Sequence, residues 1–371
     1  MQATAAVPPS VPADDLAHWM RLAHTPGVGP VMARQLLDVF GLPEQVFEAG
    51  FEALSRTVPA AIARALAQAM PAATAALIDA TLAWLDQPGN GVLTLIDAAY
   101  PRSLFEIHDP PLLLYVKGRL ELLACPALAV VGSRNASAQG IANAEKFSQA
   151  LSEAGLTIVS GLALGIDAAA HQGGLRGAAS TIAVIGSGAD IVYPRRNLGL
   201  AHLIAAQGCI VSEYALGVPP LPANFLRRNR LISGLARGVL VVEAAARSGS
   251  LTTARMAGEQ GRDVFAIPGS IHSALTKGCH GLIKQGAKLV ESADDILQEV
   301  QCLSAPTRPD VPAADSEPAL LVALGYDAVD ADVLAVRAGL DAAAVLGQLL
   351  ALELAGLVER LPGGLFQRRQ T

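Results

Sequence analysis

The sequence predicts an α/β fold: a doubly wound, mostly parallel sheet with a helical domain before it and a winged helix after it. Three observations carry this expectation. Between Ala127 and Val290, short apolar runs alternate with helical patterns such as IANAEKFSQALSEAG and LTTARMAGEQG. The runs are rich in Val, Ile and Leu and free of charge, as expected of strands buried on both faces. Small or polar residues close nearly every run: Gly132-Ser133-Arg134, Ser160-Gly161, Gly186-Ser187-Gly188, Ser212-Glu213, Ser248-Gly249-Ser250 and Pro268-Gly269-Ser270. Such sheets bind ligands beyond the carboxyl ends of their strands. Small residues there let backbone N–H groups at helix N-termini approach an anion, phosphate above all.

A chain of 371 residues is long enough for two or three domains and a large core. Charged residues make up 16% and mean hydropathy is positive, yet much of the apolar content is Ala. No apolar run approaches the roughly 18 to 20 residues of a membrane helix, so no membrane partner is expected. The start, MQATAAVPPSVPADD, lacks the basic region and apolar core of a signal peptide. Cys125, Cys209, Cys279 and Cys302 lie far apart, with no CxxC pair and no His at ligand spacing. Reduced cytoplasmic thiols and no metal are the expectation. The formal net charge of −6 argues against nucleic acid, but its distribution reverses that reading: from Cys125 to Lys288, 15 Arg and Lys face 8 Asp and Glu. A basic central domain (+7) sits inside an otherwise acidic chain (−13).

In chain order, residues 1–13 are rich in Pro and Ala and read as disordered, and residues 14–88 read as a helical domain. Within it, Pro26-Gly27-Val28-Gly29 opens the helix VMARQLLDVFG. That turn is either a tight connector or, as in helix-hairpin-helix modules, a seat for a DNA phosphate that Arg34 alone could reinforce; the connector is favoured. Residues 89–303 form the sheet domain. It opens with a lead-in of short extended runs, containing Lys117 and Arg119, that packs against the sheet. About seven strands follow, near 128–131, 156–159, 181–185, 209–212, 239–243, 263–267 and 287–290. A linker rich in Pro and Asp spans 304–318, and residues 319–371 combine helices with a hairpin around Pro362-Gly363-Gly364, the pattern of a winged helix. Its expected reading helix, DAAAVLGQLLALELAGL, has no Lys or Arg, which favours packing or protein contact over reading DNA sequence.

The densest basic cluster is Asn224-Phe225-Leu226-Arg227-Arg228-Asn229-Arg230. Three guanidiniums beside an aromatic ring suit a run of phosphates and a stacked base. Leu231, Ile232 and Leu235 are expected to bury the same helix. Arg134 directly follows the first strand and should overhang the ligand crevice. Asp167 and His171 stand four apart on one helix and read as a structural pair. Gly186-Ser187-Gly188 lacks the third Gly of a dinucleotide loop, and no phosphate loop of the GxxxxGK[ST] kind occurs, so neither NAD nor ATP is expected and no cofactor is assigned. Glu213 and Glu243, at strand ends taken as neighbours, could form an acid/base pair; orienting Arg side chains or binding loop amides is favoured.

These segments together resemble the DNA-processing protein A family. The resemblance rests on YPRSLFEIHDPPLLLYVKG, AVVGSRNAS, IVSGLALGIDAAAH, TIAVIGSGADIVYPRRN, IVSEY, NFLRRNRLISGLARGVLVVEAAARSGSLTTARMAGEQGRDVFAIPG and KGCHGLIKQGAKLV, which run in order over roughly residues 100–290. It implies a Rossmann-like sheet domain between an N-terminal helical domain of SAM or helix-hairpin-helix type and a winged helix. It further implies a non-catalytic bacterial protein that binds single-stranded DNA, protects it, and helps load the RecA recombinase during natural transformation. Carried over by motif, the family's basic pocket points to Ser133, Arg134, Phe225, Arg227, Arg228, Asn229 and Arg230, and more weakly to Ser248, Gly249 and Ser250. The resemblance also implies a homodimer formed through the late sheet domain, with His280, Ile283 and Leu289 at its interface. Leu226 stands where the family pattern has Pro.

The rival reading is an enzyme, a nucleotide phosphoribohydrolase of the lysine-decarboxylase-like kind. Those enzymes carry a PGGxGTxxE motif. Here the corresponding turn reads RSGSLTTA, with Ala254 at the place of the catalytic Glu.

Overall fold

A computed structural model describes residues 13–300, 319–325, 328–354, 357–361 and 364–368. Residues 1–12, Cys302, the linker 304–318 and the Pro362-Gly363 part of the hairpin turn lie outside the described residues. Ala13, expected to be disordered, opens the first helix.

Six helices come first: α1 (Ala13–Ala23), α2 (Pro30–Phe40), α3 (Pro43–Glu48), α4 (Phe51–Thr57), α5 (Ala60–Ala67) and α6 (Ala72–Leu85). Proline sets the starts of α2 and α3, because its fixed φ suits a first helical position whose N–H has no partner: Pro30 and Pro43 occupy that position. The Gly27-Val28-Gly29 turn behaves as a connector. Gly27 adopts φ +84° with the Ile62 side chain packed beneath it, and Val28 is buried in the bundle core.

The sheet has nine strands among the described residues, two more than the sequence suggested. The lead-in supplies both, β1 (Asn90–Thr94) and β2 (Leu113–Gly118). Then come β3 (Ala127–Val131), α7 (Ala138–Glu153), β4 (Thr157–Ser160), α8 (Ile166–Arg176), β5 (Thr181–Val184), α9 (Leu198–Gln207) and β6 (Cys209–Ser212). The second half holds α10 (Pro222–Leu235), β7 (Gly238–Val241), α11 (Ser250–Glu259), β8 (Asp263–Ala266), α12 (Lys277–Lys284), β9 (Lys288–Leu289) and α13 (Ala293–Glu299). The strand order is β1-β2-β6-β5-β4-β3-β7-β8-β9. From β6 to β9 every pair is parallel, while β1 and β2 join antiparallel at one edge.

Alternation along the strands builds a core on each face. Ala129 and Val131 of β3 face Leu231, Ile232 and Leu235 of α10, while Leu128 and Val130 face Ala144, Phe147 and Leu151 of α7. The chain order reverses between β3 and β7, and such a switch point opens a crevice at the strand ends.

The C-terminal part holds α14 (Ala319–Leu324), β10 (Val329–Asp330), α15 (Ala331–Ala338), α16 (Ala342–Leu354), β11 (Val358–Arg360) and β12 (Leu365–Arg368). A three-stranded sheet β10-β12-β11 with these helices makes the winged helix, around a core of its own that includes Leu321, Leu334, Val345, Leu349 and Phe366. The outer face of α16 carries Leu346 and Leu350, both more than half exposed. No single helix among the described residues is long and apolar enough to cross a membrane.

Candidate nucleic-acid interface

The crevice is assembled from strand ends. After β3, the Ser133 N–H donates to the Glu243 carbonyl beyond β7 (2.7 Å), tying the two halves of the sheet together at the switch point. The Glu243 carboxylate accepts from the Ser137 N–H (2.9 Å) and hydroxyl (2.6 Å), and the Ser137 oxygen accepts from the Gly140 N–H (3.0 Å). Glu243 therefore finishes the cap of α7. Gly140 is required there, because a Cβ would come within 2.4 Å of that carboxylate.

Glu213 has a different task and a different place. It pairs with Arg230 and, at 3.8 Å, with Arg227. Burial pushes its carboxyl pKa up, while Arg230 and Arg227 oppose the shift. The expectation that Glu213 and Glu243 end neighbouring strands is corrected by the topology. Strands β5, β4 and β3 lie between β6 and β7, which sets the two ends about 19 Å apart. They cannot act on one bond as acid and base.

Asp167 and His171 are structural, but through the β4–α8 loop rather than through each other. His171 is fully buried; its Nε2 accepts from the Leu162 N–H (3.3 Å), and its Nδ1 lies 2.7 Å from the Thr181 hydroxyl, which donates onward to the Ile158 carbonyl. These roles assign a neutral ring protonated at Nδ1, and burial, aided by nearby Arg228, depresses the pKa to about 3. The Asp167 carboxylate accepts from the Ala163 N–H (3.4 Å), and burial raises its pKa against the pull of Arg228. Asn197 donates to the Leu162 and Ala163 carbonyls at 2.9 and 3.1 Å. Together these groups hold Leu162 at φ +58°, a conformation that non-glycine residues seldom adopt.

The arginine cluster does not present three guanidiniums on one face. Helical periodicity sends Arg227 outward, half exposed, and turns Arg228 and Arg230 inward, at 4% and 6% exposure. Arg230 is occupied by Glu213 and by Asp109 (3.1 Å). Arg228 donates to the carbonyls of Gly161 (2.7 Å) and Val184. Asn229 is partly exposed between them. Phe225 rests on Gly186, where a Cβ would come 3.0 Å from the ring, and meets Tyr193 at 5.5 Å between ring centres. In the other half of the crevice, the Ser248 and Ser250 hydroxyls lie 2.7 Å apart around Gly249, at the start of α11.

Arg134 is exposed at the switch point with no ion pair or hydrogen bond to its side chain among the described residues. Arg195, Arg196 and Arg247 stand in the same condition. Sequence reasoning did not single out these three, nor Tyr193. The signal was present in YPRRN, in the loop between β5 and α9, and in Arg247 directly before the SGS turn. Among the described residues, no three His, Cys, Asp or Glu side chains converge as a metal site would require.

At the far edge of the sheet, Leu289 of β9 is 44% exposed. Ile283 packs partly against its own core, and His280 Nε2 lies 2.9 Å from the Gly269 carbonyl.

Known proteins share this architecture. The family model of DNA recombination-mediator protein A matches residues 91–301, and that of the DprA winged helix domain matches residues 304–364. Protein Smf of Escherichia coli is 45% identical over 305 residues, covering 79% of this chain and 81% of the relative. DNA processing protein DprA of Streptococcus pneumoniae is 53% identical over 208 residues, covering 56% and 73%. The X-ray structure of DNA processing protein A from S. pneumoniae superposes with a TM-score of 0.62 at 41% identity, over 78% of this chain and 98% of that one. A Helicobacter pylori DNA processing protein A, solved for its single-stranded DNA binding mode, gives 0.52 at 29% identity, over 57% and 95%. With its sheet domain and its winged helix both matched, the chain belongs to the DNA recombination-mediator protein A family.

Proposed function

We propose that this chain binds single-stranded DNA without sequence preference along the carboxyl ends of its parallel strands. As a recombination mediator it protects the strand and helps load RecA during natural transformation. The observation that carries the reading is the row of exposed arginines Arg134, Arg195, Arg196 and Arg247, whose side chains make no ion pair or hydrogen bond among the described residues, beside the half-exposed Arg227 and the Phe225–Tyr193 pair. Cations held in no ion pair can meet phosphates, and an aromatic face accepts any base. Ser133, Asn229 and the turn Ser248-Gly249-Ser250 supply polar groups along the same row. Arg230, held by two carboxylates, shapes the groove from behind. The H. pylori relative's single-stranded DNA binding supports the same assignment.

In this reading residues 14–88, 89–303 and 319–371 are three domains, and the middle one holds the DNA. Two copies join along the β9 edge through Leu289, with Ile283 and His280 beside it. The protein acts in the cytoplasm, needs no cofactor and catalyses no reaction. The phosphoribohydrolase alternative has no support at its key position: Ala254 is buried in α11, and Glu243 is committed to the α7 cap.

The test is equilibrium binding to labelled single- and double-stranded oligonucleotides of mixed sequence over a salt series, for wild type and Arg134→Ala. The wild type should prefer single strands, with affinity falling as salt rises. Arg134→Ala should reduce the slope of log K against log salt by about 0.7, the share of one phosphate. No binding by the wild type, or a slope unchanged by the substitution at equal affinity, would overturn the reading.

A further inference from the structure

We propose that Arg228 is a positioning residue, which shapes the β4 loop and the Phe225 platform without touching DNA. The proposal rests on the single-stranded DNA reading above. Its first ground is the helix itself. Arg228 shares a stripe with Leu231, Ile232 and Leu235, all buried against the sheet, so its stem enters the core side of α10. Only 4% of the residue reaches solvent.

The second ground is what its head does. The two hydrogens on Nη1 go to the carbonyls of Gly161 and Val184, which follow β4 and end β5. One guanidinium thus latches two adjacent strand ends that have no further ladder bonds to each other. The fit is tight: a Cβ on Gly161 would lie 2.7 Å from Nη2 and 2.8 Å from Cζ. That same Cβ would lie 2.7 Å from the Asp167 carboxylate, so acid and guanidinium converge on one glycine. Asp167 thus offsets part of the Arg228 charge inside the protein, and extracting the guanidinium toward a phosphate would break two charge-assisted bonds and take from buried Asp167 the stronger of the two cations that act on it, the other being Arg134.

The third ground is what stands on this latch. The guanidinium carbon lies 6.0 Å from the Phe225 ring centre, and that ring in turn meets Tyr193 at 5.5 Å between centres. Gly161 begins the loop whose next residue, Leu162, is held at positive φ by His171 and Asn197. Loss of the latch therefore releases the stacking ring and the loop together, while the number of exposed cations stays the same.

Salt titration separates positioning from phosphate contact, because its slope counts phosphates neutralised. Arg228→Gln and Arg228→Lys should both weaken single-strand binding by about 5- to 150-fold, the loss of one base–aromatic stack, with the wild-type slope. Arg134→Ala in the same series should lower the slope. A slope reduced by about 0.7 in Arg228→Gln, together with near wild-type binding by Arg228→Lys, would make Arg228 a phosphate ligand and overturn the proposal while leaving the DNA reading intact. Failure of the wild type to bind would remove both.

Because a buried arginine can be essential for folding, a second measurement uses the unaltered protein. An arginine-selective dicarbonyl reagent, mapped by peptide mass spectrometry, should modify Arg134, Arg195, Arg196 and Arg227, and single-stranded DNA should protect them. Arg228 should stay unmodified with or without DNA. Modification of Arg228 in the free protein that DNA then blocks would refute the inference.

Discussion

His171 makes this fold sensitive to acid in a way that can be calculated. Its ring is neutral and fully buried, with both nitrogens engaged and the pKa depressed to about 3. In the unfolded chain the same ring takes a proton near pH 6.5. The folded pKa lies below the unfolded one, so the stabilisation from neutral His171 is complete above pH 6.5 and is lost as pH falls toward 3. The loss is about 1.4 kcal/mol per pH unit. At pH 4.5, two units below the unfolded value, it amounts to about 3 kcal/mol. His171→Gln removes the titration and keeps an amide that can donate and accept. Urea unfolding followed by circular dichroism at pH 7.5 and 4.5 should find the wild type more stable than the variant at the higher pH. That gap should shrink by about 3 kcal/mol at the lower pH. Other titrating groups, including Asp167 and Glu213, are common to both proteins and cancel in the comparison. A gap independent of pH, or a His171 ring that titrates near 6.5 by NMR, would refute the reasoning.

Two further outcomes test other parts of the molecule. Leu289→Glu places a charge on the exposed β9 edge and should halve the solution mass measured by light scattering, while binding to a short oligonucleotide persists; an unchanged mass would remove the proposed interface. A chain ending at residue 303 should keep single-strand affinity within about threefold of the full chain, because α16 carries no cation and the winged helix has a separate core. A loss beyond tenfold would assign DNA contact to the winged helix.

The sheet domain was legible because parallel strands buried on both faces leave uninterrupted apolar runs, and each of the seven runs noted in sequence proved to be a strand. The lead-in was harder. LLYVKG is buried through its first four residues but ends in Lys117-Gly118, and its edge partner NGVLT is buried only at its last two, so neither leaves a long apolar run and β1 and β2 were seen as extended but not counted. For the interface, the sequence located the segments but not the orientation of their side chains. Three arginines within four residues look like one cluster in one dimension, whereas a helix separates residues 227 and 228 by 100°. Arg228 shares the Leu231, Ile232 and Leu235 stripe, and that periodicity already marked it as inward-facing. Tyr193, Arg195 and Arg196 were overlooked because no long basic run draws attention to them; what joins them to Phe225 is the adjacency of β5 and β6, a fact of topology.

Strand β2 serves two cores at once. Leu112 and Leu113, at its start, belong to the interior of the helical bundle, Leu114 and Val116 to that of the sheet, and Tyr115 meets Trp84 of α6 at 6.0 Å. The bundle and the sheet therefore share a wall, and melting one strips the lining from the other. In engineering terms the bundle is not a detachable module. A shortened chain that begins at β1 would expose Val92, Leu112 and Leu113 on an unprotected edge hairpin, and would stay dispersed only after those positions were made polar.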